Sequence, residues 1–285
     1  MIGLEEFKSI ASASKLMLNG HPSELEFYDR HHRIFTCMFN MPLQGPTLDV
    51  GCGNGLFFKA IKLLKPEMLP YAVTDIITQD IVYDGSDKIE CHIFECERTR
   101  IPLPDRSVGT ILFCDVIEHL IVDPVWAILE FNRVLKDDGH IVISTPNACH
   151  IKRVFQILSG ENSATENHIK PNSIYQRHNR EWTIRDLLTI LTLCGFKDFN
   201  YSTHSYMLSE TEKSFLEFAR NTSLTKKPEL DFGPEIFFCG RKEKHLTLDS
   251  ELSIDDRWPD WLYTHYANYR KRPKVFPVLI GEDYG

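Results

Sequence analysis

Apolar residues along this chain change period again and again, and each change marks the border between a strand and a helix. Leu48 and Val50 alternate with polar neighbours up to Gly51, which reads as a first strand. Leu56 to Leu64 follow with helical spacing, and Pro66 and Pro70 end that helix. Tyr71–Ile76, Glu90–Glu95, Gly109–Cys114 and His140–Thr145 read as the second to fifth strands. Before the fifth, Asp123 and Pro124 supply an N-cap and a first turn, Val125, Ile128, Leu129 and Leu135 an apolar side, and Asp138-Gly139 a stop. Strands separated by helices in this way predict an α/β fold with a doubly wound, mostly parallel sheet.

The alternation lapses from Ala148 to Arg180, where only Ile151–Leu158 suggests a short helix and residues 160–167 are polar. A long connection at the ligand edge of such a sheet reads as a lid or substrate element, bounded here as 148–182. Thr183 and Asp186 then form a capping pattern for a helix over 184–194, stopped by Gly195. Phe196–Met207 predicts a sixth strand, Ser209–Asn221 an amphipathic helix and Ile236–Gly240 a last strand. Upstream, Leu4, Phe7, Ile10, Ala11 and Leu18 form a helical stripe, and Ser23 with Glu26 starts a second helix carrying Tyr28, His31, His32 and Arg33. That face reads as partly solvated; a sharper reading closes Tyr28 or Arg33 over a ligand. The expected organisation is N-terminal helices over 1–44, a main domain over 45–244 and an extension over 245–285.

Composition changes the picture little. Of 285 residues 42% are hydrophobic and 25% charged, and the net charge is −8, which argues against bulk binding to a nucleic-acid backbone. No apolar run reaches bilayer length, and the acidic start reads neither as a secretory signal nor as a myristoylation site. Eight cysteines include no C-x-x-C pair, so a zinc knuckle is not expected and a reducing cytoplasm is. In the extension, Trp258, Trp261, Tyr263, Tyr266 and Tyr269 precede a basic run, Arg270 to Lys274. We read it as a docking helix that packs on the domain or on a second copy of the chain, rather than as a stacking platform for single strands.

The chemistry starts at Thr47-Leu48-Asp49-Val50-Gly51-Cys52-Gly53-Asn54-Gly55. Strand, glycine turn and helix N-terminus make the nucleotide corner of a doubly wound sheet, with backbone N–H groups aimed at the turn. The third glycine of a dinucleotide fingerprint would fall at position 56, which is Leu56. Asp49 would repel a pyrophosphate but welcome a ligand carrying an ammonium and a sulfonium. The nonamer resembles the first motif of the class I S-adenosylmethionine-dependent methyltransferases. Glu130 to Lys136 and the ends of the fourth and fifth strands resemble the same family, in its branch acting on small molecules and glycans.

That resemblance implies a Rossmann-like sheet of seven strands, helices on both faces, and a last strand inserted antiparallel between the fifth and sixth. It implies S-adenosyl-L-methionine as cofactor, held by Asp49, Gly51, Cys52, Gly53, Asn54, Asp75, Ile76, Glu97, Arg98, Cys114 and Asp115. Asp75 would take the ribose hydroxyls, Glu97 the adenine amino group, and the Arg98 backbone the ring.

Methyl transfer from a sulfonium is an in-line displacement, so the protein mainly holds the acceptor in place, and positioning contributes roughly 7–11 kcal/mol. An acceptor hydroxyl or ammonium also needs a base. His119, His150 and His178 map to the acceptor edge; His178 is the chosen base, with His119 beside it. Asp115, Glu118, His119 and His178 also form a reasonable divalent-metal set and resemble the small-RNA 3′-terminal 2′-O-methyltransferases, where a metal would acidify a ribose hydroxyl. The metal-free reading ranks first. The expected activity is transfer to an oxygen, in preference to a nitrogen, of a small molecule or glycan precursor. The alternatives are metal-dependent RNA ribose methylation and a non-catalytic cofactor-binding module.

Overall fold

The structure is a computed structural model. It describes residues 42–52, 66–68, 71–74, 81–83, 87–89, 91–93, 95–97, 99–162, 177–204, 209–221 and 232–248, with His32, Ile34, Thr36, Phe57 and Ile61. Tyr28, His31, Arg33, Gly53, Asn54, Asp75, Ile76, Arg98 and the aromatic extension lie outside the described residues.

A mixed sheet organises the molecule. Its strands are β1 (Thr47–Val50), β2 (Tyr71–Thr74), β5 (Cys91–Ile93), β6 (Val108–Cys114), β7 (Leu135–Pro146), β8 (Phe196–His204) and β9 (Glu235–Lys242). They run in the order β5-β2-β1-β6-β7-β9-β8. The pairs from β5 to β7 are parallel, and β9 is antiparallel to both β7 and β8. The strand order turns back at β1 and β6, which places a crevice at their C-terminal ends. Two short strands, β3 (Ile81–Tyr83) and β4 (Asp87–Ile89), pair as a separate antiparallel hairpin. The sequence pattern had missed it, although Asp84-Gly85 between the two is a hairpin turn signal.

The described helices are α1 (Pro124–Val134), α2 (Ile151–Leu158), α3 (Ile184–Leu193) and α4 (Glu210–Asn221). Asp123 caps α1 by accepting from the Val125 N–H at 3.0 Å. Thr183 and Asp186 close a reciprocal capping box on α3, and Gly195 beyond its end sits at φ 87°. From Val125 to Val134 every residue of α1 is buried, so this helix lies inside the core. β7 begins directly after it at Leu135, earlier than the pattern placed it; Asp138, at φ 60°, lies inside the strand instead of ending a helix.

The segment Glu130 to Lys136 holds distant parts of the chain together. The Arg133 guanidinium donates to Glu130, to Asp105 and to the Ile101 and Leu103 carbonyls, all at 2.7–3.1 Å. Asn132 donates to the Cys194 and Lys244 carbonyls and accepts from the Leu246 N–H. The buried Lys242 ammonium donates to the Asn132 and Leu135 carbonyls at 2.7 and 2.6 Å, satisfying groups that the end of α1 leaves open. Burial pushes its pKa down to about 8. These bonds fix the loop into β6 and the start of β7, and so the two strands that carry the site.

Candidate active site

β1 delivers Asp49 to the crevice. Its carboxyl is 2% exposed, and Oδ2 has no hydrogen-bond partner among the described residues. Burial alone raises its pKa from 3.8 to about 7. A buried carboxyl with an oxygen left open is costly, and its placement here fits a ligand that brings positive charge. The chain then turns through Gly51 at φ 69°, where a Cβ would stand 2.5 Å from Cγ2 of Val116. Only glycine serves there, on both backbone and steric grounds. Beyond the turn, Phe57 and Ile61 are helical and buried against the core.

β6 runs beside β1 and brings Cys114 and Asp115 to the same edge. The Cys114 thiol is pushed well above its usual range by burial, reinforced by the charges of Asp115 and Asp49. Asp115 occupies φ 56°, a strained setting for a non-glycine residue. Adjacent β7 holds it there: its N–H donates to the Ser144 carbonyl at 2.9 Å, and the Ser144 hydroxyl donates to its Oδ1 at 2.8 Å.

Glu97 finds its partners in the loop before α1. Its carboxylate accepts from the N–H groups of Ile121, Val122 and Asp123 at 2.7–3.0 Å. Oε1 takes three of these contacts and Oε2 one, the Ile121 N–H being shared between the two oxygens. Burial nevertheless leaves its pKa raised. The residue braces the loop into α1. The loop displays three consecutive N–H groups, and an acid is the side chain that can gather them.

Past Asp115 the chain forms a 3-10 turn, Ile117–His119. Glu118 is 1% exposed, and its Oε2 accepts from the Thr145 hydroxyl of β7 at 2.9 Å. His119 is more open; its Nδ1 is 3.1 Å from the Arg177 carbonyl, so that nitrogen carries the proton, and Nε2 lies 3.9 Å from Glu118.

His178 reaches this turn from almost sixty residues downstream. The segment that carries it is stitched to the turn: the Asn179 N–H donates to the Glu118 carbonyl at 2.8 Å, and the Asn179 amide to the His119 carbonyl at 2.8 Å. The 1% exposed Trp182 anchors the segment, its indole donating to the Ile117 carbonyl and its backbone bridging to Asn147. The His119 and His178 rings meet edge to face with centroids 5.0 Å apart. One ligand atom each of Glu118, His119 and His178 lies within 4.8 Å of the others. Of the four residues weighed as a metal set, three come together, and Asp115 is instead committed to Ser144. His150 ends apart from them as the residue before α2, its pKa lowered to about 4, chiefly by burial. Ser144, Thr145 and Asn179, which hold the site in shape, carried no sequence signal of their own: their roles follow from strand register and from a contact between distant segments.

Comparisons with known proteins give the family. A family model described as a methyltransferase domain matches residues 26–199, more than half of the chain. The chain belongs to the methyltransferase domain family. Two Mycobacterium tuberculosis proteins, from strains CDC 1551 / Oshkosh and ATCC 25618 / H37Rv, each titled "Probable S-adenosylmethionine-dependent methyltransferase", are 24% identical over 196 residues. The alignment covers 67% of this chain and 65% of each relative's length, just under two thirds. Among solved structures, a Haloferax volcanii methyltransferase in complex with the Trm112 activator gives a TM-score of 0.50 at 14% identity, covering 84% of this chain and 98% of that one. Haemonchus contortus phosphoethanolamine N-methyltransferase 2, solved with phosphomonomethylethanolamine and S-adenosylhomocysteine, also gives 0.50, at 15% identity, covering 85% and 59%. These likenesses show the α/β Rossmann-like fold. No helix among the described residues is long and apolar enough to cross a membrane.

Proposed function

We propose that this methyltransferase moves a methyl group to an oxygen, in preference to a nitrogen, of a small molecule or glycan precursor. The observation that carries the proposal is the convergence of Glu118, His119 and His178 at the sheet edge that also holds the Asp49–Gly51 corner. When bound, S-adenosylmethionine supplies a methyl group already activated on a sulfonium. Asp49 offers its buried carboxylate to the positive groups of the cofactor, and Gly51 lets the backbone lie close to it. Cys52, Cys114 and Asp115 line the same corner. Gly53, Asn54, Asp75, Ile76 and Arg98 complete the proposed cofactor set on sequence grounds.

Around the acceptor, Glu118 and the two imidazoles present accepting atoms. A hydroxyl or ammonium donates to such a set and is oriented by it. His178, 9% exposed, accepts the acceptor's proton as general base, and His119 shares its orientation. In its small-molecule reading the reaction needs no nucleic acid, and the −8 net charge supports that. Cytoplasmic residence is supported by thiols buried as small apolar side chains, among them Cys52, Cys96 and Cys239. The extension beyond residue 245 is the proposed route to a homo-oligomer.

A second reading rests on the same 4.8 Å cluster: a divalent cation held by Glu118, His119 and His178, acting on a ribose hydroxyl of RNA. The test uses S-adenosylmethionine labelled on its methyl group, offered with fractionated small-molecule, glycan and RNA extracts. Label in a small-molecule or glycan fraction, unaffected by chelator and lost in His178→Ala, supports the first reading. Label confined to RNA and dependent on Mn²⁺ or Mg²⁺ overturns it.

A further inference from the structure

Next to His178 lies a pair of charged residues that the proposed chemistry does not use. Arg153 of α2 and Glu181 form an ion pair through Oε2 of Glu181. Both are largely buried, with side chains 7% and 14% exposed. The other oxygen, Oε1, is buried, has no hydrogen-bond partner among the described residues, and lies 3.7 Å from Nδ1 of His178. A small rotation of either side chain closes that gap to hydrogen-bond length, and such contacts commonly tighten only when the site is occupied.

We propose that Glu181 is a positioning residue: held by Arg153, it fixes His178 in the tautomer with the proton on Nδ1, so that Nε2 is the accepting nitrogen. The inference rests on His178 belonging to the acceptor site, and it names the residue that prepares it. Three observations support it. Arg153 can only donate, so it holds one carboxylate oxygen and keeps the group ionised. An ionised carboxylate can only accept, so the ring nitrogen facing it carries the proton. The neighbouring ring follows the same plan: His119 has its Nδ1 opposite the Arg177 carbonyl. Both imidazoles of the cluster are thus set by fixed acceptors on their Nδ1 side, one a backbone carbonyl and the other Glu181. The accepting nitrogen so prepared is what a base requires, and equally what a metal-binding histidine requires.

Gln at position 181 reverses the logic without changing the shape. Arg153 must take the amide oxygen, which turns the amide NH₂ toward His178 Nδ1. That nitrogen then has to accept, and the proton moves to Nε2. The experiment is ¹⁵N NMR of the histidine rings in the full chain, at a pH where the ring is neutral, with the His178 signals assigned from His178→Asn. The expected result is a protonated Nδ1 in the wild-type chain and a protonated Nε2 in Glu181→Gln, with affinity for S-adenosylhomocysteine unchanged. A protonated Nε2 in the wild-type chain overturns the inference, and so does one tautomer shared by both proteins. Should Glu181→Gln fail to fold, the wild-type tautomer alone decides. A merely structural ion pair would leave the tautomer where it was. A chain that does not bind S-adenosylhomocysteine at all would count against the functional reading, while the tautomer result still decides this one.

Discussion

Asp49 couples cofactor binding to pH in a way that can be worked out in advance. Burial lifts its pKa from 3.8 to about 7, a shift of about three units, and each unit is about 1.36 kcal/mol of difference between its protonation states. Without ligand, ionising Asp49 inside the fold therefore costs on the order of 4 kcal/mol more than in the unfolded chain. The sign follows from proton uptake: between pH 4 and 7 the folded protein binds the extra proton, so stability falls as pH rises through that window and is level above it. Cofactor binding runs the other way, because the ligand's positive groups need the carboxylate. Affinity for S-adenosylhomocysteine, which retains the ammonium, should rise by up to about tenfold per pH unit from pH 5 to 7, with up to one proton released, and then level off. Asp49→Asn removes both dependences: the ligand-free variant loses less stability over pH 4–7, and its weaker binding is flat across the range. Calorimetric titration in buffers of differing ionisation heat measures affinity and proton release together. A wild-type affinity that does not change between pH 5 and 7, or an Asn variant that binds like the wild type, refutes this reasoning.

Three further substitutions probe the frame of the site. Gly51→Ala meets Val116 at 2.5 Å and a left-handed backbone that costs roughly 1–2 kcal/mol, so both the melting temperature and cofactor affinity should fall, which scanning fluorimetry with and without ligand will show. Glu97→Ala strips the acceptor from three N–H groups at about 1–3 kcal/mol each, and denaturant unfolding should show a loss of several kcal/mol. Arg133→Met leaves Glu130 charged and fully buried, which should cost roughly 3–5 kcal/mol in the same measurement.

The sequence made the scaffold legible wherever local rules decide it. Asp123 before Pro124, and Thr183 with Asp186, mark helix starts because a cap is satisfied within one turn of chain. The glycine at 51 was readable because a positive φ admits few other residues, and Asp49 because its charge excludes a phosphate ligand. What the sequence left open depends on contacts between remote segments. Glu97 was assigned to adenine from motif position, and its bonds to the loop amides at 121–123 left no trace in the motif. Asp115 looked like one of four ligands, yet strand register sets Ser144 beside it. The partnership of His178 with Glu118 and His119 was anticipated as a set; the bonds that enforce it, from Asn179 to the 3-10 turn, span some sixty residues and leave no local trace. The β3–β4 hairpin is a plainer omission, since its Asp-Gly turn was there to be read.

On the proposed function, one crevice joins the Asp49–Gly51 corner, for the methyl donor, to the Glu118–His119–His178 cluster, for the acceptor. A crystal structure of the full chain with S-adenosylhomocysteine tests it most directly. The ligand's ammonium should sit at Asp49 and its sulfur should face the cluster, with room for a single acceptor group between them. A sulfur directed away from His119 and His178, or a ligand bound elsewhere on the sheet, would contradict it.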